Sequence, residues 1–402
     1  MTACSLPSPC RRFLTDVDKS VGGLPDSGNW RIDAGARRVL DRLRRAGHQA
    51  LLNGGCVRDL LLGREPGDWD IATDATPDQV IELFEHTVPV GREFGIVQVR
   101  VDGGEAYEVA RFRAEGPYSD GRHPDHVEPA DARADAARRD FTINGMFYDP
   151  DGDGLLDFVG GRADLAARVV RAIGDPAARF AEDSLRTLRA IRFAARLDFD
   201  IDPDTWTALC SEAPRIGRVS AERIRDELTR ILTEGGAARG LDLLADSGLL
   251  ERILPEVVAM QGVPQPQQYH PEGDVFTHVR LMLEQVDAIA DVSPTLAWGV
   301  LLHDVGKPGT FTPPEHEGDR IRFNGHDALG AQMADAIAER LRFSRSERER
   351  IRDLTAHHMR FRNTPQMRAS KLKRFVREEY FEELLELHRI DCAGSHGKLD
   401  LY

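Results

Sequence analysis

The spacing of apolar residues along the 402-residue chain changes near residue 175. Before that point, apolar residues at helical intervals predict a helix over Asp33–Ala46. Short apolar runs of strand type then alternate with Gly-rich or charged turns, and Thr76 is a suitable N-cap for a helix over Pro77–Phe84. The predicted strands are Ala50–Leu52, Trp69–Ala72, Ile96–Val101 and Tyr107–Phe112. These signals indicate a mixed α/β unit.

After Asp175 the strand signals stop and helical periodicity continues almost to the end of the chain. The predicted helices are Ala181–Leu197, Ala221–Leu232, Ala237–Leu244, Val275–Ala290, Leu296–Leu302, Ala328–Leu341 and Arg345–Arg360. Two prolines in Gly262–Gln268 oppose helix and indicate a linker. We expect four segments: a flexible leader over residues 1–28, an α+β domain over 29–174, an all-α region over 175–262 and a second all-α domain over 263–402.

Composition narrows the class of protein. The chain has 53 Lys and Arg against 67 Asp and Glu, a net charge of -14 that excludes bulk coating of nucleic acid but permits a local basic groove. No apolar run approaches the roughly 20 residues that span a bilayer, so we expect a cytoplasmic protein without a membrane partner. The 5 cysteines are odd in number and scattered, which disfavours a disulfide framework and a thiolate zinc site.

A glycine turn and a carboxylate pair form the first candidate site. Asn53–Asp59 follows a predicted strand, and its adjacent glycines would let phosphate approach backbone amides while Arg58 neutralises charge. Asp68 and Asp70 stand at i and i+2 of the next predicted strand and would share one face. Two carboxylates held that close favour Mg²⁺ between them, with Glu108 as a candidate third ligand. A plain turn and a solvated Asp-x-Asp are the alternative.

A run of arginines forms the second candidate site. Arg138 and Arg139 precede a short apolar segment. In the predicted helix over Ala181–Leu197, charged residues at three-residue steps line one helix edge. They are Asp183, Arg186, Arg189 and Arg192. Such an edge offers an acceptor and a donor to a base and guanidinium groups to phosphates, unless Asp183 and Arg186 simply form an ion pair beside surface arginines.

Histidines and acids spaced along the C-terminal helices form the third candidate site. They are His278, His303, Asp304, His326, His357, His358 and Asp391. Imidazole nitrogens and carboxylate oxygens together suit a divalent metal that polarises water for phosphoester hydrolysis. A structural metal without turnover is the alternative. Downstream, Lys371, Lys373 and Arg374 are either an RNA contact or a solvated face.

Taken in order, the motifs of the first half resemble those of the class II tRNA nucleotidyltransferases, the CCA-adding enzymes, which the bacterial poly(A) polymerases share. The motifs are Gly54-Gly55-x-x-Arg58-Asp59, Asp68-x-Asp70-x-x-Thr73, Arg138-Arg139-Asp140-Phe141-Thr142-Ile143-Asn144, Glu182-Asp183-x-x-Arg186 and Glu222-Arg223-Ile224-Arg225-x-Glu227-Leu228. The resemblance covers residues 50–232. It implies a nucleotidyltransferase head of the DNA polymerase β type, followed by helical neck and body regions.

The resemblance also implies roles for individual residues. Asp68 and Asp70 would hold Mg²⁺ and activate the 3′-hydroxyl of tRNA for attack on the α-phosphorus of CTP or ATP. The triphosphate would be held by Gly55, Arg58 and one of the Arg138–Arg139 pair, which we place at Arg139. Asp183 and Arg186 would pair with the incoming base as a protein template. Arg189 and Arg192 would support the nucleotide.

Two features bear on which nucleotides are added. The segment Tyr118–His126 is similar to the family's flexible region that switches specificity from C to A, and the near-full length of the stretch up to Arg138 favours A addition, whereas Ala130–Ala137 replaces a more acidic family pattern. Separately, Gly145 stands where the family usually has Ala, and a small residue there preserves packing. A CCA-adding enzyme is the leading hypothesis. An A-adding enzyme or poly(A) polymerase is the first alternative, and an HD phosphohydrolase with an RNA-binding head is the second.

The histidine series resembles an HD phosphohydrolase domain over about residues 263–395, including His270-Pro271-Glu272-Gly273-Asp274. Such domains follow the nucleotidyltransferase part in some bacterial CCA-adding enzymes. The resemblance implies a divalent metal, Mn, Ni or Mg, with either His357 or His358 as the later ligand.

Overall fold

The computed structural model of the chain describes residues 30–91, 95–101, 104–116, 118, 121, 124–152, 154–268, 270–316 and 319–395. The predicted leader over 1–28 and four residues of Tyr118–His126, namely Ser119, Asp120, Arg122 and His123, lie outside them. The described residues form two compact units. The first comprises those up to Arg186 together with Asp200–Leu209, and the second comprises Thr187–Phe199 and those from Cys210 onward.

A mixed sheet forms the centre of the first unit. Its strands are β1 (Ala50–Asn53), β2 (Ile71–Thr73), β3 (His86–Gly91), β4 (Ile96–Arg100), β5 (Ala106–Arg111), β8 (Met146–Asp149) and β9 (Gly154–Asp157). Two smaller pairs join β6 (Arg113–Glu115) to β7 (Val127–Pro129) and β10 (Val169–Val170) to β11 (Asp200–Ile201). In the described residues the large sheet has 7 strands in the order β3-β4-β5-β2-β1-β8-β9. Only β2 and β5 pair in parallel among its adjacent strands.

Six helices surround or follow this sheet within the first unit. They are α1 (Ala34–Arg45), α2 (Gly55–Leu61), α3 (Pro77–Leu83), α4 (Ala132–Ala137), α5 (Gly161–Ala167) and α6 (Pro176–Glu182). Asp33 caps α1 by accepting the amides of Gly35 and Ala36, and Thr76 closes a capping box at α3 as the sequence predicts.

The packing of α4 on the sheet positions the arginines that follow it. Ala132 and Ala136 of α4 belong to the same buried cluster as Leu51, Ala72 and Phe147 of the sheet. Burying side chains of Leu or Phe size stabilises the fold by about 1.5–3 kcal/mol each. This packing holds the end of α4 against the sheet, and so it positions the backbone of Arg138 and Arg139, which follow the helix.

Helices α7 (Leu185–Leu197) and α8 (Pro203–Glu212) each contribute residues to both units. The remaining helices belong to the second unit. They are α9 (Ala221–Thr233), α10 (Ala237–Asp246), α11 (Leu249–Ile253), α12 (Pro255–Val258), α13 (Val275–Val286), α14 (Pro294–Leu302), α15 (Lys307–Thr310), α16 (His326–Arg340), α17 (Arg345–His357), α18 (Ala369–Phe375) and α19 (Phe381–Ser395). Trp298 of α14 is fully buried, and its indole nitrogen donates to the Thr229 hydroxyl at 2.9 Å.

Several elements differ from those that the sequence predicts. The helix predicted over Ala181–Leu197 is two helices, because Asp183 adopts an extended conformation (φ -151°, ψ 105°) that ends α6. Asp68 and Asp70 precede β2 rather than lie in it. A short strand, β11, occurs after Asp175 and pairs in parallel with β10. The helix predicted over Arg345–Arg360 ends at His357, and a 3-10 helix covers His358–Gln366.

Candidate active site and metal centre

The first candidate site lies where β1, β2 and β5 run side by side. The amide of Asn53 donates to the Asp70 carbonyl at 3.1 Å, which extends the β1–β2 ladder by one residue. On the other side of β2, Ile71 is in parallel register with Val109. The preceding residues, Asp70 and Glu108, are therefore neighbours across the sheet. This register brings the predicted third carboxylate beside the predicted pair.

The three carboxylates are in a repulsive arrangement. Burial and the charges of Glu108 and Asp68 raise the pKa of Asp70 to about 6, while Arg139 opposes the shift. Partial desolvation and the charge of Asp68 also raise the pKa of Glu108, although its side chain reaches solvent. Like charges that raise one another's pKa are stabilised when a cation binds between them. The donor set, all carboxylate oxygen, fits the Mg²⁺ that the sequence predicts.

Gly54 makes room for this cluster. Its φ of 72° lies in the left-handed region, which side chains rarely adopt. A Cβ atom at this position would lie 3.1 Å from Nη1 of Arg139 and 3.8 Å from Oδ2 of Asp70. The helix α2 begins at the next residue, Gly55. The glycine turn therefore leaves a space bordered by one guanidinium and one carboxylate.

The two arginines of the Arg138–Arg139 pair have different surroundings. Arg139 lies against Gly54 and over the Phe147 ring, and its Nη2 donates to Asp135 at 2.9 Å. Arg138 donates to Asp135 at 2.8 Å and to Glu115 at 2.9 Å. Arg139 is thus the one of the two that borders Asp70, and its contact with the triphosphate stays a prediction. Asp135 is 1% exposed and orients both guanidinium groups, a role that the sequence motifs did not reveal.

Arg58, predicted to hold the triphosphate, is only 3% exposed. Its guanidinium donates to both oxygens of Asp59, at 2.8 and 3.0 Å, and to Oδ1 of Asn144 at 2.7 Å. These bonds tie α2 to the segment that follows Arg139. In the structure Arg58 therefore connects α2 to Asn144, and its contact with a nucleotide stays a prediction.

The predicted template residues occupy the α6–α7 junction. Asp183 is 8% exposed, and its Oδ1 accepts the amide of Leu185 at 3.1 Å. Arg186 donates to Glu182 at 2.5 Å and to the Arg179 carbonyl at 3.0 Å. The guanidinium of Arg186 also lies 5.7 Å from the ring centroid of Tyr118, whose hydroxyl donates to Glu115. Asp183 is at a helix break, so the single charged helix edge predicted from Asp183 to Arg192 is wrong.

Arg189 and Arg192 belong to the second unit. Nε of Arg192 is 2.8 Å from Glu227, and its Nη1 is 3.1 Å from Glu234. Arg189 approaches Glu227 at 3.8 Å. Glu227 is the second glutamate of the Glu222–Leu228 motif and lies on α9, so these contacts join α7 to α9. The predicted support of a nucleotide by these arginines stays a prediction.

The third candidate site is a buried cluster in the second unit. Three groups of residues each place their ligand atoms within 4.8 Å of one another, and two of them consist of predicted ligands: His278, His303 and Asp391, and Asp304, His326 and His358. Neighbouring rings connect the groups, since the centroid distance is 5.4 Å from His278 to His303 and 5.3 Å from His303 to His358. The structure therefore brings six of the seven predicted ligands together. The seventh, His357, stacks on Tyr380 with 5.4 Å between ring centroids, so the structure favours His358 as the later ligand.

The orientation of the rings fits a metal. Nδ1 of His303, His326 and His358 faces the backbone carbonyls of Val300, Phe323 and Thr355 at 2.7–2.9 Å. A proton on each Nδ1 leaves Nε2 as a lone pair directed into the cluster, the usual arrangement of metal-bound histidine. Nε2 of His326 and of His358 then face each other at 3.2 Å. Two lone pairs that close repel unless a cation or a proton lies between them.

Asp304 is at the centre of this cluster. Its Oδ1 is 3.6 Å from His326 and 3.7 Å from His358, and its Oδ2 is 3.0 Å from His303 and 2.6 Å from Nζ of Lys307. Although burial opposes ionisation, the contacts with His303 and Lys307 hold the pKa of Asp304 well below its usual value. A buried, ionised carboxylate is a strong ligand for a divalent ion.

Glu272 is a member of the cluster that the candidate ligand set omitted. Its Oε1 is 2.9 Å from Nδ1 of His270 and 2.8 Å from Nδ1 of His278, while Nε2 of His278 is 3.2 Å from Asp391. The other oxygen of Glu272 is buried without a hydrogen-bond partner in the described structure. The His270–Asp274 segment was the sequence signal that pointed to it. Lys307, three residues after Asp304, is another neighbour of the cluster that the candidate ligand set omitted.

Three family models match parts of the chain. Residues 50–171 match the poly A polymerase head domain, residues 198–260 match the "probable RNA and SrmB- binding site of polymerase A", and residues 275–391 match the HD domain. The chain therefore contains a nucleotidyltransferase head with a mixed sheet, a helical body and an HD domain, the fold predicted from its motifs. Both the head and the HD families are metal-dependent, and the carboxylate and histidine groups are candidate ligands.

The curated relatives of this chain include CCA-adding enzymes. The chain is 42% identical to that of Bacillus licheniformis over 216 residues, which is 54% of each protein. It is 45% identical to that of Levilactobacillus brevis over 215 residues, 53% of this chain and 54% of the relative. The chain thus spans about half the length of the curated relatives it matches.

Solved structures have a similar fold over most of the chain. The Bacillus stearothermophilus CCA-adding enzyme in complex with CTP covers 88% of this chain and 81% of its own, with a TM-score of 0.55 and 28% identity. The Thermotoga maritima CCA-adding enzyme complexed with tRNA covers 89% and 77%, with a TM-score of 0.57 and 20% identity. Among the described residues, no helix combines the length and apolar character needed to cross a membrane.

Proposed function

We propose that this chain adds CMP and AMP from CTP and ATP to the 3′ end of tRNA without a nucleic-acid template. The observation that supports this most strongly is the group of three carboxylates, Asp68, Asp70 and Glu108, beside the space at Gly54 and the guanidinium of Arg139. The CCA-adding enzymes among its relatives support the same reaction.

Different residues of the head would have different roles in this reaction. Asp68 and Asp70, with Glu108 beside them, would hold Mg²⁺ and orient the attacking hydroxyl. A bound divalent ion would supply charge neutralisation on the phosphates. Arg139 would contact the triphosphate from the edge of the glycine turn, held in place by Asp135. The 3′-oxygen of tRNA then attacks the α-phosphorus and pyrophosphate leaves, and positioning provides much of the rate enhancement.

Selection of the base belongs, in this proposal, to Asp183 and Arg186. Both are fixed by hydrogen bonds at the α6–α7 junction, and fixed donors and acceptors discriminate between bases better than mobile ones. Arg186 is also in contact with Tyr118, at the start of the segment similar to the family's flexible region. This contact supports a chain that adds A as well as C.

The decisive experiment uses tRNA transcripts ending at the discriminator base, at C and at CC, with labelled CTP or ATP and Mg²⁺. Extension of all three supports CCA addition. Extension of the CC-ended transcript alone would identify an A-adding enzyme, and long adenosine tails would identify a poly(A) polymerase. Absence of any extension would refute nucleotidyl transfer.

We further propose that the HD domain is a divalent-metal phosphohydrolase, with Mn, Ni or Mg bound by His278, His303, Asp304, His326, His358 and Asp391. The buried lone pairs of this cluster support it. Hydrolysis of a panel of nucleotides, cyclic nucleotides and phosphorylated RNA ends, after reconstitution with each metal, tests turnover, with the products separated by chromatography. A metal-loaded protein that hydrolyses no member of the panel would point to a structural metal. The division into residues 29–174, 175–262 and 263–402 is part of the same proposal.

A further inference from the structure

The most positively charged stretch of this acidic chain follows the HD metal cluster. Residues 359–377 contain Arg and Lys at seven positions and no Asp or Glu. The seven are Arg360, Arg362, Arg368, Lys371, Lys373, Arg374 and Arg377. Arg360 lies over the Phe375 ring at 4.3 Å, whereas the other six side chains are on exposed residues. We call these six residues the basic surface.

The basic surface differs from other arginine-rich surfaces of the second unit in that its charged groups are not ion-paired within the described residues. On the neighbouring helices arginines are paired within the protein, as Arg345 is with Glu349, Arg348 with Asp335 and Arg389 with Glu386. Within the part of the chain that the structure describes, the six members of the basic surface form no ion pair. Uncompensated like charges repel one another, and an anionic ligand relieves that repulsion.

The surface is rigidly supported. Phe375 of α18 is fully buried and packs against Phe361 and Phe381, each with 5.2 Å between ring centroids. Lys373 and Arg374 lie on α18 directly before Phe375, and Arg377 lies in the turn that follows the helix, so these three cations are close to the buried ring along the chain. The cations are therefore held in fixed register on the protein, as contacts to successive phosphates require.

The elements that support the basic surface also contain candidate ligands of the histidine cluster. The 3-10 helix that precedes α18 begins at His358, a candidate ligand, and Phe381 begins α19, which contains Asp391. A polymer bound along the basic surface would lie beside the elements that hold the cluster. The geometry also distinguishes between anionic partners. The aromatic residue of α18 is buried, and the exposed large apolar side chains here are Leu372 on the helix and Val376 directly after it, which offer little to insert into a bilayer.

We propose that the basic surface binds the phosphate backbone of structured RNA and so gives the HD domain an RNA contact of its own. The choice of RNA rests on the proposed function, because a chain that extends tRNA must hold RNA. The proposal adds a binding site in residues 362–377, outside the 198–260 segment that matches the RNA-binding family model.

The test compares the full chain with the variant Lys371→Gln/Lys373→Gln/Arg374→Gln, using fluorescent tRNA lacking its CCA end. At about 0.15 M salt each lost phosphate contact weakens binding roughly fivefold by counterion release, so three contacts correspond to a loss on the order of 100-fold. The slope of log affinity against log salt should fall by about 2–3 units. The control Arg345→Gln/Arg348→Gln/Arg389→Gln removes the same charge from paired arginines and should change affinity by less than about twofold.

A charge-preserving variant, Lys371→Arg/Lys373→Arg/Arg374→Lys, should retain affinity, and thermal unfolding of each protein reports whether the fold is intact. Equal loss in the two glutamine variants would overturn the proposal, because bulk charge would then explain the effect. Binding to vesicles of phosphatidylcholine and phosphatidylserine without binding to RNA would overturn it in favour of a membrane partner. If the Lys371→Gln/Lys373→Gln/Arg374→Gln variant keeps its affinity and the wild-type chain adds nucleotides, only the basic surface is refuted. If the variant loses affinity but the wild-type chain adds no nucleotide, only the proposed function is refuted.

Discussion

The two candidate metal sites of this chain are built in opposite ways. In the head, Asp68 and Glu108 are exposed, Asp70 is half-buried, and all three ligands are carboxylates that repel one another. In the HD domain the histidines and Asp304 are buried, and backbone carbonyls fix the orientation of three rings. An open carboxylate site favours an ion that arrives with the phosphates of its substrate, whereas a closed histidine site favours a resident ion.

The largest effect is expected in the head. Asp70→Asn keeps the volume of the side chain but removes the charge that would hold Mg²⁺, so nucleotide addition should fall by a factor of at least about 10³ while tRNA affinity changes little. Single-turnover extension of a CC-ended transcript measures the rate. Glu82→Gln, an exposed acid on α3, is the matched control and should extend normally. Retained addition by the Asp70 variant would remove this residue from the site.

The next effect distinguishes a resident ion from a transient one. Asp304→Asn preserves the shape of the central ligand and still offers an oxygen to Lys307, but it removes the charge shared with His326 and His358. Metal analysis after gel filtration should show a divalent ion in the wild-type protein and almost none in the variant. Asp327→Asn, the acid next to His326, should keep its metal. Equal metal content in the Asp304 variant and the wild type would exclude the cluster as a metal site.

The sequence predicts a site best where its residues are close together along the chain, and less well where the contacts join distant segments. The glycine turn and the carboxylate pair were predicted because each motif occupies a short stretch of chain, whereas the HD ligands, which are spread over residues 278–391, were predicted from their order and from the resemblance to HD domains. The break at Asp183 was missed because helical periodicity resumes directly after it at Leu185. Asp135 and Glu272 were missed as partners because part of their contacts depends on packing. Asp135 accepts the amide of Arg113 only when β6 and α4 meet, and Glu272 reaches His278 only when the segment before α13 folds back.

A smaller change is expected at Glu272. Its Oε1 contacts Nδ1 of His278, so it would orient this ring and increase the basicity of the nitrogen that faces Asp391. Glu272→Gln should weaken metal affinity by about 10–100-fold without abolishing binding. Competition with a chelator of known affinity measures the change. Glu315→Gln, an exposed acid of the same unit, is the control. Unaltered affinity in the Glu272 variant would make its contact with His278 purely structural.

The smallest effect concerns nucleotide choice and tests whether the head discriminates by fixed hydrogen bonds. Asp183→Ala removes the carboxylate that the amide of Leu185 holds in place, so discrimination against GTP and UTP should fall by about tenfold while the rate with CTP falls less. The ratio of kcat/KM values for the four nucleotides measures it. Asp204→Ala, an exposed acid in the first turn of α8, should leave the ratio unchanged. If the Asp183 variant slows all four nucleotides equally, Asp183 supports the α6–α7 junction rather than the incoming base, because loss of positioning alone does not distinguish one base from another.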